Sequence, residues 1–156
     1  MNFSHLNKAG TAKIVDISEK SKTKREAKAK ASITMGSIAL SSLENETSKK
    51  GNVLSVAQLA GIMAAKKTHD LIPLCHNIPI NSIDVSFKID KHGNSVNIFS
   101  TVKAVHNTGV EMEALTAVTV SALTIYDMIK SIDKSAKIGS VFLVSKKGGK
   151  SGSYKA

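Results

Sequence analysis

The sequence predicts an α+β fold, with helices covering one face of a mainly antiparallel sheet. Two observations carry this. In "IDVSFKID" (83–90), Val85, Phe87 and Ile89 alternate with Asp84, Ser86 and Lys88; "KHGN" is a turn, and "SVNIFSTVKAV" (95–105) is the return strand of a hairpin. Residues 110–132, "VEMEALTAVTVSALTIYDMIKSI", form the longest helix and are apolar nearly all round. Such a helix needs cover on every side, from its own chain or from another copy.

The other elements follow in order. Residues 1–12 read as a loose polar arm, and "TAKIVDIS" (11–18) as a short strand. "KTKREAKAKASITMG" (22–36) is rich in Ala, Lys and Glu, which favour helix. Yet Ala27, Ala29, Ala31, Ile33 and Met35 alternate with polar neighbours, and that period of two favours a half-buried strand. The strand reading is taken. "SIALSSLENET" reads as a short helix and "SKKGN" as a loop. Residues 53–68 form a helix whose Ala57, Ala60, Gly61, Ala64 and Ala65 allow close packing, with Lys66 and Lys67 suiting its negative pole. "AKIGSVFLVS" is a final strand, and "KKGGKSGSYKA" a flexible basic tail.

At 156 residues the chain is most simply one catalytic-sized domain, 1–156, with 1–12 and 148–156 as flexible tails. Its net charge of +10 favours anionic partners. Aromatic residues are only 4%, with no Trp, which argues against base-stacking platforms for nucleic acid. The single cysteine forbids an intrachain disulfide and fits a reducing compartment. The first residues show no secretory pattern, and no uninterrupted apolar run approaches the ~20 residues of a membrane helix. A cytoplasmic protein without membrane or nucleic-acid partners is expected.

Residue types that carry chemistry cluster unevenly. "KKTHDLIPLCHNIPI" (66–80) holds the only cysteine, both prolines and two of the five histidines. His69, Cys75 and His76 lack the paired spacings of structural zinc, so no metal is expected. A Pro-stiffened loop presenting His76 suits a functional group on a rigid scaffold. Glu111 and Glu113 begin the long helix, where acids compensate the dipole; ~200° apart around an ideal helix, they cannot form one tight pair. Asp127 and Lys130 share a helix face. Amid Leu123, Ile125, Met128 and Ile129, at least one of them is expected to border buried surface, and a half-buried Asp–Lys pair suits acid–base chemistry near neutral pH. Glu113 and Asp127 lie ~21 Å apart along that helix with an offset of only ~40°. They serve different sites, or neighbouring subunits complete one. "KKGGKSG" (146–152) fails as a phosphate-loop motif, but its glycines and lysines can wrap an anion.

"DLIPLCH" (70–76), "TGVEMEALTAV" (108–118), "ALTIYDMIK" (122–130) and "GGKSG" (148–152) together closely resemble the cyclic pyranopterin monophosphate synthase family, that of molybdenum cofactor biosynthesis protein C. The resemblance runs from about Val15 to Gly152. Two departures are visible: Asn77 where the family often has Pro, and Lys147 where it commonly has Ser.

The resemblance implies a ferredoxin-like fold and a homohexamer, a trimer of dimers with sites between subunits. The implied substrate is phosphorylated and guanine-derived, 3′,8-cyclo-7,8-dihydro-GTP, delivered by an upstream radical enzyme in transient contact. The implied products are cyclic pyranopterin monophosphate and diphosphate, with no cofactor. Carried over, Asp127, Lys130 and Lys50 become the acid–base candidates. His76 would contact the substrate or its phosphates, with Cys75 packed inward beside it. Glu111, Met112 and Glu113 would line the base-recognition side, and Arg25, Lys146 and Lys150 would hold the triphosphate. A basic nucleotide- or RNA-binding module without catalysis is the alternative; it predicts binding that falls steeply with salt. An inactive family member kept for assembly is a third reading.

Overall fold

The computed structural model describes residues 9–45, 51–150 and 152–156. Its elements are β1 (Thr23–Thr34), α1 (Ser37–Glu44), α2 (Val53–Lys66), α3 (Thr68–Leu71), β2 (Ser82–Asp90), β3 (Ser95–His106), α4 (Glu111–Ile129), β4 (Lys137–Lys147) and β5 (Tyr154–Lys155). The strands form one sheet in the order β2-β3-β1-β4-β5, and every neighbouring pair is antiparallel. With α2 and α4 as its main helices, this is the expected α+β, ferredoxin-like arrangement.

In residues 22–36 alternation prevails over helix propensity, because β1 is central and paired on both edges. Ala27, Ala29, Ala31 and Ile33 face the helices and are fully buried, while Lys24 and Lys28 point to the open face. Alanine there has a packing consequence. The small side chains of β1 meet Ala114, Ala117 and Ala122 of α4, which are also buried, so helix and sheet come close. Larger apolar residues, Val96, Ile98, Val102, Ile125 and Ile129, fill the space around them. By length and composition α4 could cross a membrane, but most of it is buried inside this fold.

The α2–α4 contact turns on one glycine. A Cβ added to Gly61 would collide with the Ser121 hydroxyl and come within 2.8 Å of the Ala117 carbonyl. The Ser121 hydroxyl donates to the Ala57 carbonyl (3.0 Å) in the same seam. Gly61→Ala is therefore expected to lower stability by ~1–3 kcal/mol through overpacking, despite the better helix propensity of alanine. Urea denaturation of the variant beside the parent chain measures this.

Some local expectations change. Of residues 11–18 only Ala12 makes a strand bridge, so "TAKIVDIS" is an irregular arm and not a strand. The 66–80 window begins with one helical turn, α3. The tail expected to be loose from residue 148 folds back: Tyr154 and Lys155 pair with Lys146 and Ser145 as β5, and the Ala156 amide donates to the Val144 carbonyl at 2.9 Å. Lys50 and most of the arm's first residues, 1–8, lie outside the described residues.

Candidate active site

The ends of β1, β3 and β4 and the start of α4 meet at one corner of the molecule. They enclose a cleft of about 860 Å³. Strand β1 contributes Arg25, β4 contributes Lys146, and the β3–α4 turn contributes Asn107, Thr108 and Gly109. Glu111 stands at the first turn of α4, Gly149 and Lys150 close one side, and Glu19 and Lys20 of the arm close another. Lys20, Arg25, Lys146 and Lys150 outnumber Glu19 and Glu111, so the cleft is cationic. The positive end of the α4 dipole adds to that field.

The cations are held in place. Arg25 donates from Nε to the His106 carbonyl and from Nη2 to the Asn107 carbonyl, both at 3.0 Å. Gly149 has φ +84°, and a side chain on it would strike the Arg25 guanidinium. A glycine in left-handed backbone thus lies flat on the arginine, where other residues would be strained. Lys146 Nζ lies 3.0 Å from Glu111 Oε1, with both groups largely sheltered. The Glu111 carboxylate therefore orients a lysine of the cleft instead of only compensating a helix end.

The second acid points elsewhere. Glu113 is only 3% exposed, and burial pushes its carboxyl up to about 7, with the charge of Glu111 adding to the effect. The ~200° separation read from sequence is realised: one acid faces the cleft, the other faces inward. Cys75 is half-buried. Burial, and then the charge of Glu113, raise its thiol, so it remains protonated and is no activated nucleophile. Neither Cys75 nor Met112 borders the cleft.

His76 does not face the cleft either. Its Nε2 donates to the Val15 carbonyl at 2.7 Å, which pins the arm. Asn107 Nδ2 pins it again by donating to the Ile17 carbonyl at 3.0 Å. Beside them His106 is held below its ordinary value by burial and by the neighbouring charges of His76, Lys22 and Arg25. Its Nδ1 accepts from the Thr108 amide (3.4 Å), which fits a neutral ring.

Asp127 and Lys130 stand at the far end of α4. They form a 2.7 Å ion pair, but both are more than half exposed, not half-buried as the apolar surroundings suggested. Hydrogen bonding and charge from Asp127 raise Lys130 above its ordinary value, so within a single chain it is an ordinary ammonium. The structure thus brings Arg25, Glu111, Lys146 and Lys150 together. It places His76, Cys75 and Glu113 behind that cleft, and leaves Asp127 and Lys130 apart from it. Among the described residues, no group of three or more His, Cys, Asp or Glu is placed to hold a metal.

Sequence reasoning missed Lys20, Thr23, Asn107 and Thr108. Only Asn107 and Thr108 carried a signal: two polar residues closing a strand directly before "GVEME".

Comparison with known proteins now bears on this geometry. The model of the MoaC family matches residues 14–149. A protein of Thermoanaerobacter pseudethanolicus is 55% identical over 154 residues, covering 99% of this chain and 98% of its own. One of Staphylococcus epidermidis is 53% identical over 156 residues, covering 98% and 96%. One of Peptoclostridium acidaminophilum is 51% identical over 154 residues, covering 99% and 97%. Each of the three is called cyclic pyranopterin monophosphate synthase. Matched over most of its length and more than half identical to such relatives, the chain belongs to the MoaC family.

Proposed function

We propose that this chain is a lyase of molybdenum cofactor biosynthesis. It converts 3′,8-cyclo-7,8-dihydro-GTP into cyclic pyranopterin monophosphate and diphosphate, acting in the cytoplasm as a single catalytic domain. The observation that carries the reading is the cleft, where Arg25, Lys146, Lys150 and Lys20 converge at the N-terminal end of α4 in a chain of this family.

The chemistry needs three things from these residues. The triphosphate needs a multi-point cationic clamp that orients the α-phosphate against a tethered hydroxyl. The departing diphosphate accumulates negative charge, which Lys and Arg stabilise best where water is excluded. The purine-derived ring opens and recloses through several proton transfers, which need acids and bases of different pKa. The Asp127–Lys130 pair supplies the acid–base groups of the described chain, Lys50 joins it as a carried-over candidate, and Glu113 belongs with Glu111 and Met112 to the base-recognition side. His76 and Cys75 support the arm and the base-recognition side behind Glu111 and Met112.

A site that uses both ends of α4 needs more than one copy. Leu59 (63% exposed), Met63 (60%) and Leu123 (53%) leave apolar helix surface open on the side of α2 and α4. A homohexamer built as a trimer of dimers covers such surface, and sets Asp127 and Lys130 of one protomer at the cleft of another. Desolvation in that contact would move Lys130 down from its present raised value, toward a lysine that both gives and takes protons. The upstream radical enzyme meets this assembly only transiently, to deliver the substrate.

The direct experiment is to incubate the purified chain with the cyclised GTP. The expected result is a pterin, seen by fluorescence after oxidation, with one diphosphate per turnover. Substrate that stays unchanged while the chain remains folded rejects the proposal.

A further inference from the structure

Two oxygens near the cleft have no partner among the described residues. Thr23 Oγ1 and Asn107 Oδ1 are both buried and without a hydrogen bond, and both residues line the cleft. Buried polar atoms are nearly always paired, and an orphan calls for a reason. Thr23 sits opposite His106 at the last rung of the β1–β3 ladder, one residue from Asn107, so the two lie at the same end of the sheet.

The orientation of Asn107 is determined by its surroundings. Its Nδ2 donates to the Ile17 carbonyl, and flipping the amide would set oxygen against oxygen. Its own carbonyl is taken by Arg25 Nη2. What remains is Oδ1, which only accepts. Phosphate oxygens near neutral pH are chiefly acceptors too, so a phosphate cannot satisfy it. Its partner must be a hydroxyl or an N–H group. Thr23 Oγ1 can donate or accept, and so can serve the same group or its neighbour.

Resting on the reading of the cleft as a nucleotide site, we infer that Thr23 and Asn107 are specificity-determining residues: an uncharged pair that reads a hydroxyl or N–H donor on the nucleoside portion of the ligand. The cations hold the phosphates, and this pair distinguishes a nucleoside triphosphate from a bare polyphosphate. Neither oxygen touches bulk solvent, so the ligand meets them by displacing part of the 15–21 arm. That arm is tethered by the Asn107 Nδ2 and His76 Nε2 bonds to Ile17 and Val15.

Calorimetric titration of the full chain with two probes, GTP and inorganic tripolyphosphate, tests the inference. Thr23→Val keeps the side-chain shape and removes the hydroxyl without touching the arm. It is expected to weaken GTP roughly fivefold, the worth of one hydrogen bond, and to leave tripolyphosphate unchanged. Thr23→Ser should restore GTP binding, and Asn107→Ala should weaken GTP at least as much as Thr23→Val. Thermal melting of unliganded Thr23→Val should show no loss, since a buried unpaired hydroxyl has gone. If both variants weaken the two probes equally, the residues act on the arm alone and the inference is wrong. It is also wrong if neither variant changes GTP binding, or if the parent chain binds tripolyphosphate but not GTP; in that last case the cationic clamp survives. A parent chain that binds neither probe overturns the nucleotide reading of the cleft and this inference with it.

Discussion

Asp127→Ala is expected to leave the chain folded and to cut product formation by roughly 100- to 10,000-fold, the usual worth of a positioned acid or base. The side chain is more than half exposed and forms an ion pair with Lys130. Its removal opens no cavity and strands no buried charge. Circular dichroism and oligomer size should therefore match the parent while turnover collapses. The substrate KM should move little if the proposed clamp of Arg25, Lys146 and Lys150, at the other end of α4, holds the triphosphate. Lys130 should lose the elevation that Asp127 confers. A companion experiment addresses the shared site. Asp127→Ala and Arg25→Ala, each inactive, are unfolded together and refolded as a mixture. If one protomer supplies Asp127 and another the cleft, some mixed sites hold both groups and part of the turnover returns. Recovery of none would mean that each site draws on a single chain. Full activity in Asp127→Ala alone would remove the residue from the mechanism.

Glu113 makes the largest prediction on stability. Its carboxyl moves from the ordinary 4.5 to about 7 because it is buried. Between those values the folded chain holds a proton that the unfolded chain has released. Stability from this group is thus fully present below about 4.5 and is lost as pH rises through about 7. At ~1.4 kcal/mol per pH unit, the loss is on the order of 3 kcal/mol. Glu113→Gln keeps the shape and cannot ionise. It should abolish this part of the pH dependence, so that the variant is the more stable protein above pH 8 and about equal to the parent near pH 4.5. Urea denaturation at the two ends of the range reads it directly. A parent chain that is no less stable relative to the variant at high pH would mean that Glu113 ionises freely.

Particular residues show how much was legible beforehand. Ala27, Ala29, Ala31 and Ile33 declared a strand despite a helix-favouring composition. A period of two is a local property, and the central position of β1 then enforced it. The opposite directions of Glu111 and Glu113 followed from helix geometry alone. The half-buried state expected of Asp127 and Lys130 did not hold, because the apolar neighbours Ile125, Met128 and Ile129 take the buried side of α4 and these two the exposed side. Apolar neighbours in sequence say little about burial on a helix where adjacent residues point ~100° apart. The tail from residue 148 had the composition of a loose end, yet pairing with β4 recruits Tyr154 and Lys155. Two ladder rungs are too short a signal to stand out in a sequence.

By itself the sequence determined the α+β layout, the family resemblance and most of the charged candidates for the proposed site, because periodicity and motifs are properties of neighbours along the chain. Only the tertiary structure decided which of them share a cleft. Arg25 reaches the carbonyls of His106 and Asn107 across 81 and 82 residues of chain, and Lys146 of β4 reaches Glu111 at the start of α4. Such contacts depend on strand order and register, which no local pattern encodes. The unpaired oxygens of Thr23 and Asn107 belong to the same class: they are orphaned by what the fold sets around them, not by anything in the residues beside them.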